Sequence, residues 1–294
     1  MNVTAPLALP AGSAPQRRRS TAALTFRQRG GRSFLARQMT PHPFHLTRPF
    51  YLPDDPAGMA TLYLQSSSGG LYGDDDLHLD IALEEGAAAH VTTQASTVVH
   101  AARGGLTRQQ VSLTCARDSL LEFLPDPLIL FAGARLQTTL TAEIERGAIL
   151  VLADSFLAHD PAASAAPFER FDNDIVVRRR GESLPLLIER LRLGGADWPP
   201  AANRHLGAHA CHGSLCVAHD RAGDAIAAAM KQALADSGLD RAACYGGVNA
   251  LGERGVVWAR LLCRDGAALS KALKAVWQGA RVALTGRLPS PRNK

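Results

Sequence analysis

Lysine is almost missing from this chain of 294 residues: Lys231, Lys271, Lys274 and Lys294 are all there are, and the rest of the 32 basic residues are arginine. Aromatic residues are also scarce, at 5%. The core must therefore rest on Ala, Leu and Val, which suits closely spaced sheets better than a deep aromatic pocket. Few rings also leave few platforms on which single-stranded bases could stack. No apolar run reaches the ~18 residues of a membrane span. The N-terminal segment lacks the apolar stretch of a secretory signal. The cysteines, Cys115, Cys211, Cys216, Cys244 and Cys263, are odd in number and irregular in spacing. That pattern excludes a secreted disulfide framework and points to a reducing cytoplasm and a soluble protein. Several catalytic signatures are absent too: there is no G-x-S-x-G elbow, no H-E-x-x-H and no C-x-x-C.

What is present is an ordinary globular balance, 46% apolar and 20% charged, on a chain long enough to bury a substantial core. The net charge of +5 fits a solvated basic face or an acidic partner, protein or nucleic acid. Residues 1–20, with Arg17-Arg18-Arg19, have no period and read as a disordered tail. From there to about residue 290 the pattern reads as one β-rich domain.

Ala23–Arg27 and Ser33–Arg37 flank Arg29-Gly30-Gly31-Arg32, a hairpin signal. Then a strand–turn–strand unit recurs three times. Leu77, Leu79, Ile81 and Leu83 alternate with polar residues, Glu84–Ala87 turns the chain and Ala89–Gln94 returns. Val111, Leu113 and Cys115 lead through Ala116–Ser119 to Leu120–Leu124. Leu140, Ala142 and Ile144 lead through Glu145–Ala148 to Ile149–Ala153. The turn centres Gly86, Asp118 and Gly147 lie about 30 residues apart, which predicts a layered or solenoid-like stack of β-hairpins or coils. Ile175–Val177 and Leu186–Leu191 continue the strands. A helix is expected over Arg221–Ser237, a strand over Gly255–Cys263 and a second helix over Ala267–Ala283, so helix, strand and helix occupy about 220–284. The fold class is mainly β (α+β), with two helices in the C-terminal third.

Gly69-Gly70-Leu71-Tyr72-Gly73-Asp74-Asp75-Asp76 is Gly-rich, but it lacks a Lys-Ser/Thr pair and precedes a strand, so it is no phosphate loop. Its carboxylates could hold a hard or borderline cation or satisfy loop amides. Thr92-Thr93-Gln94 is either an exposed strand face or the polar lining of a groove. His205, His209, Cys211, His212 and Cys216 carry soft and imidazole ligands in a spacing that matches no standard zinc module; the cluster is a candidate metal site or an incidental loop grouping. Two further functional classes stay open at this level. One is a basic nucleic-acid-binding protein. The other is a metal-dependent hydrolase using the His205–Cys216 cluster.

Five landmarks in order then resemble the urease accessory protein D family (UreD, also UreH). They are Pro49-Phe50-Tyr51; Gly69-Gly70-Leu71 with Gly73-Asp74 and Leu77; Thr92-Thr93-Gln94-Ala95; Leu124-Pro125 with Ile129-Leu130-Phe131 and Gly133-Ala134; and Glu189-Arg190-Leu191-Arg192-Leu193. Arg29–Arg32 and Gly286-Arg287 with Pro289 fit as well. The resemblance implies a scaffold and no enzyme. Such a scaffold docks on the urease apoprotein, recruits UreF and, through UreF, UreG, and helps nickel reach the urease active site. It implies neither a nucleic-acid nor a membrane partner, and no permanently bound cofactor, nickel being held only in transit. The region from about Phe50 to Leu193 then serves binding and assembly. A metal in transit needs ligands that release it, which carboxylates and hydroxyls do better than a thiolate cage. Asp74, Asp76, Thr92, Thr93, Asp154 and Glu189 are the expected stations. Glu189 interrupts an apolar run and must be wetted or paired with an Arg of another strand.

Overall fold

The three repeats do not fold as hairpins. A computed structural model describes residues 18–103, 105–162, 166–198 and 209–292. In chain order its strands are β1 (Arg19–Arg29), β2 (Arg32–Met39), β3 (Phe44–Leu46), β4 (Ala60–Ser66), β5 (Asp76–Leu83), β6 (Ala88–Thr93), β7 (Thr97–Val99), β8 (Thr107–Cys115) and β9 (Leu120–Phe123). Then come β10 (Leu128–Phe131), β11 (Arg135–Ile144), β12 (Ile149–His159), β13 (Arg170–Arg179), β14 (Pro185–Gly194) and β15 (Cys211–Ala218). Helix α1 (Asp224–Asp236), β16 (Cys244–Ala250), β17 (Val256–Cys263) and α2 (Gly266–Thr285) complete the chain.

The two arms of each repeat enter different sheets. The first arms, β5, β8 and β11, lie parallel in a seven-stranded sheet of order β14-β13-β11-β8-β5-β1-β2. The second arms, β6, β9 and β12, lie parallel in a ten-stranded sheet that runs β16-β17-β15-β12-β9-β6-β4-β3, with β10 beside β12 and β7 beside β10. The repeating unit is thus a coil of a solenoid. Corresponding residues stack: Leu83 aligns with Cys115, and Cys115 with Ile144. The turn centres stack as well, and all three are left-handed, with φ of 70° at Gly86, 57° at Asp118 and 77° at Gly147. A parallel sheet cannot be closed by tight hairpins, so each coil must cross to the facing sheet before the chain returns. Antiparallel strands appear at the margins, where β1 pairs with β2, β13 with β14 and β12 with β15.

Alternation sorts the side chains. Phe26, Leu62, Ile81, Leu113, Leu121 and Leu150 fill the space between the sheets. On the other face of the ten-stranded sheet, Leu215, Val257 and Leu261 meet Ile226, Met230, Leu269 and Val276 of the helices. Among the described residues no helix is long and apolar enough to cross a membrane.

The sequence-based boundaries need three corrections. Arg18 to Ser20, expected in a disordered tail, are ordered: Arg18 pairs with Asp75, and Arg19, at the start of β1, pairs with Asp76. Residues 1–17 of that tail lie outside the described residues. The segment Cys211–Cys216, read as a loop, belongs to β15, whose Gly213 and Ser214 mask its alternation. Finally, the C-terminal third holds an extra strand, β16, whose Tyr-Gly-Gly stretch resembles a turn.

Candidate functional site

A cavity of about 610 Å³ lies between the two sheets. Leu77, Leu79, Gln109, Val111, Thr138 and Asn173 line it from the seven-stranded sheet. Leu64, Thr93, Phe123 and Asp154 face it from the ten-stranded sheet. Pro43, Phe44 and His45, with residues from segments 65–71, 94–98 and 125–128, add to the wall.

Polar groups inside an apolar wall must find partners, and here they form a chain. Thr138 on β11 donates its hydroxyl to Asn173 Oδ1 at 2.7 Å. Asn173 on β13 donates Nδ2–H to Asp154 Oδ2, also at 2.7 Å. The chain ends at a carboxylate. Burial raises the Asp154 pKa, the Asn173 hydrogen bond opposes this and the Glu189 charge adds to it, so that the group titrates at about 6. The next residue, Ser155, turns its buried hydroxyl to the other face of β12, where its β15 neighbour Gly213 faces Leu269 of α2. A carboxylate mostly ionised at pH 7, the hydroxyls of Thr93 and Thr138 and an amide make a weak set of oxygen donors. Such a set can hold a hydrated divalent cation without trapping it.

The expected stations divide. Thr93 and Asp154 line the cavity. Thr93 Oγ1 accepts the Asp126 N–H at 2.8 Å. Thr92 is buried on the other face of β6 and donates to Leu124 O at 2.6 Å. Glu189 is half-buried and paired with Arg260 of β17, an Arg on another strand. Asp76 is buried, with Arg19 Nη2 at 3.1 Å and His78 Nε2 at 3.2 Å. Asp74 has a left-handed backbone (φ 67°) and its carboxylate sits against Gly105. Asp75 between them is buried, paired with Arg18, and accepts the Tyr72 N–H at 2.8 Å. The Asp-rich loop thereby fastens the start of β1.

The His/Cys cluster is not gathered. His205 lies outside the described residues. Strand alternation puts Cys211 under the helices and Cys216 between the sheets. His212, on the Cys216 side, packs its ring 5.4 Å from Phe156, and burial, with Arg260 nearby, pushes its pKa down to about 4. His209 Nε2 lies 3.2 Å from Arg241 O. Among the described residues no three His, Cys, Asp or Glu side chains converge as metal ligands.

Sequence reasoning missed Thr138 and Asn173. The one signal was Asp172-Asn173, a polar break between Phe171 and Ile175. Part of the arginine excess is spent in ion pairs, including Arg27–Glu84, Arg180–Glu145, Arg192–Asp174 and Arg260–Glu189.

The family profile described as UreD urease accessory protein matches residues 18–294. "Urease accessory protein UreD 1" of Methylorubrum populi is 41% identical over 284 residues, covering 96% of this chain and 94% of that one. The protein of the same description from Methylorubrum extorquens is 41% identical over 288 residues, covering 97% and 95%. That of Pseudomonas syringae pv. syringae is 35% identical over 284 residues, covering 96% and 98%.

Proposed function

This chain belongs to the UreD family of urease accessory proteins, and from that premise we propose that it matures urease as a non-catalytic scaffold that passes nickel inward. Its partners are the urease apoprotein and UreF, with UreG joined through UreF. Nickel is the cargo. The observation that carries this reading is the Thr138–Asn173–Asp154 chain, which sets a carboxylate with pKa about 6 into a cavity between two sheets.

A cation crossing an apolar layer must exchange its waters for oxygen ligands at little net cost. Asp154 offers a charge and Thr93 and Thr138 offer hydroxyls; no thiol is among the lining residues, and the imidazole of His45 at the wall lies 2.6 Å from Gln65 Oε1. Asp154→Ala and Glu189→Ala proteins, added with UreF and UreG to urease apoprotein, should leave urease poor in nickel by elemental analysis while still co-purifying with it. Full nickel loading in both variants would overturn the passage. Loss of co-purification by the unaltered protein would overturn the scaffold.

A further inference from the structure

Three cysteines stand side by side across the margin of the ten-stranded sheet. Cys244 on the edge strand β16 lies opposite Cys263 on β17, and Cys263 lies opposite Cys211 on β15. All three face the helices: Cys211 and Cys263 belong to the core beneath them, and Cys244 packs against its rim. The two neighbours of Cys263 are not equivalent. Arg264 N–H donates to Ala243 O at 2.9 Å, which makes Cys244–Cys263 a non-hydrogen-bonded pair. In such a pair the Cα atoms lie ~4.5 Å apart and the side chains come closest. That separation falls in the range of roughly 4.4–6.8 Å that a disulfide bridges. The Cys263 backbone bonds point instead toward β15, where Ala210 N–H donates to Cys263 O at 3.0 Å. Cys211 therefore faces Cys263 at the wider spacing, ~5.5 Å.

Access is also unequal. Cys263 is fully buried, whereas Cys244 is partly exposed on a strand that, among the described residues, ends its sheet. We propose that Cys244 and Cys263 are a reversible redox site that exchanges with small disulfides of the glutathione class. Cys244 is the attacking thiol and Cys263 the resolving thiol. In the first step the Cys244 thiolate bonds to one sulfur of the small disulfide and expels the other as a thiol. In the second, Cys263 attacks Cys244 Sγ, the mixed disulfide breaks, and the second small thiol leaves. Two protein thiols are oxidised and one small disulfide is reduced to two thiols. The hydrogen bond between the pair lowers the Cys244 pKa and raises that of Cys263, which puts the reactive thiolate on the accessible sulfur. The bond would staple the edge strand, with its exposed Tyr245, Gly246 and Gly247, to the sheet.

The test treats the full-length native chain with oxidised glutathione, quenches it in acid and alkylates it for intact-mass and peptide analysis. The expected product has lost two thiols together and yields a peptide joining Cys244 to Cys263. Cys263→Ser should accumulate glutathione on Cys244, because the resolving thiol is gone. Cys244→Ser should neither cross-link nor take up glutathione at Cys263. Three results would overturn the proposal: a Cys211–Cys263 link as the main product, native thiols that resist oxidation while the unfolded chain reacts, or no mixed disulfide in Cys263→Ser. Circular dichroism of each variant checks the fold, and the wild-type cross-link map decides the matter if a variant does not fold.

Discussion

Arg281 on α2 and Glu122 on β9 are 159 residues apart in the chain and meet fully buried. Arg281 Nε–H donates to Glu122 Oε1 at 2.6 Å, and Nη2–H donates to Oε2. Trp277 Nε1–H donates to the same Oε1 at 3.0 Å. Arg281 Nη1 reaches Asp55 Oδ1 at 3.1 Å, and Arg292 Nη2 reaches Asp55 Oδ2 at 2.8 Å. One ionic cluster thus pins the helix and the C-terminal segment to the solenoid. Glu122→Ala leaves the buried Arg281 guanidinium with Asp55 as its one carboxylate, shared with Arg292, and is expected to cost about 3–5 kcal/mol. Urea unfolding should show a lower midpoint with an unchanged slope. A loss below about 1 kcal/mol, the size of an ordinary substitution, would mean the cluster does not hold the halves together.

Acid should dismantle the same cluster in two stages. Burial lowers the His90 pKa below its ordinary 6.5 despite the nearby Glu122 carboxylate. The folded state therefore resists a proton that the unfolded chain accepts, and stability falls as pH drops below 6.5. Burial pushes Glu122 up, but the hydrogen bonds from His90 and Arg281 outweigh it and hold the group at about 2. Its stabilisation is complete above the ordinary 4.5 and is lost as pH falls from there through 2. Melting temperature against pH should bend at both points. His90→Gln should reduce the upper bend, to which the buried His212 also contributes, and leave the lower.

The solenoid was legible because alternation and turn spacing are local. Leu79, Ile81 and Leu83 announce a strand, and Gly86, Asp118 and Gly147 mark the repeat. What could not be read was which sheet each arm joins, since that depends on register between distant strands. The site was half legible for the same reason. Asp154 and Thr93 stand out as polar breaks in apolar runs, but Asn173 gains its role only by facing Asp154 across the two sheets. Glu189 was legible as needing an arginine; that the arginine is Arg260, 71 residues away, was not.

The stacked turns offer a controlled comparison. Gly86 and Gly147 are both left-handed, at φ 70° and 77°. A Cβ on Gly86 meets nothing within 4 Å, whereas one on Gly147 collides with the Asp118 carboxylate of the coil below. Gly86→Ala carries backbone strain alone, about 1 kcal/mol. Gly147→Ala adds the collision and should cost about 1–2 kcal/mol more. Equal losses in thermal unfolding would show that the coils do not stack through these turns.

Glu189 bears on Asp154 through its charge. The Glu189 carboxylate helps raise the Asp154 pKa, while its own pairing with Arg260 is partly solvated. Glu189→Gln should cost under about 1 kcal/mol, as exposed ion pairs do. It should also move the Asp154 carboxyl titration, read by carbon NMR, to lower pH. An unmoved titration would separate the two groups and remove Glu189 from the passage.

Asp154→Asn sets stability against function. A carboxyl whose folded pKa is raised from the ordinary 3.8 to about 6 favours the folded state only while protonated. That advantage is full below 3.8 and is lost as pH rises through 6, so at pH 7 the ionised group destabilises the fold. Asparagine keeps an oxygen to accept the Asn173 N–H and carries no charge. The variant should therefore be more stable than the parent at pH 7, by about 1–3 kcal/mol. At pH 4 the two should unfold alike. The same variant should load less nickel into urease at pH 7, because the anion that would meet the cation is gone. Gained stability with normal loading would show that the buried charge serves something other than the metal. Lost stability would show that Asp154 has a buried cationic partner.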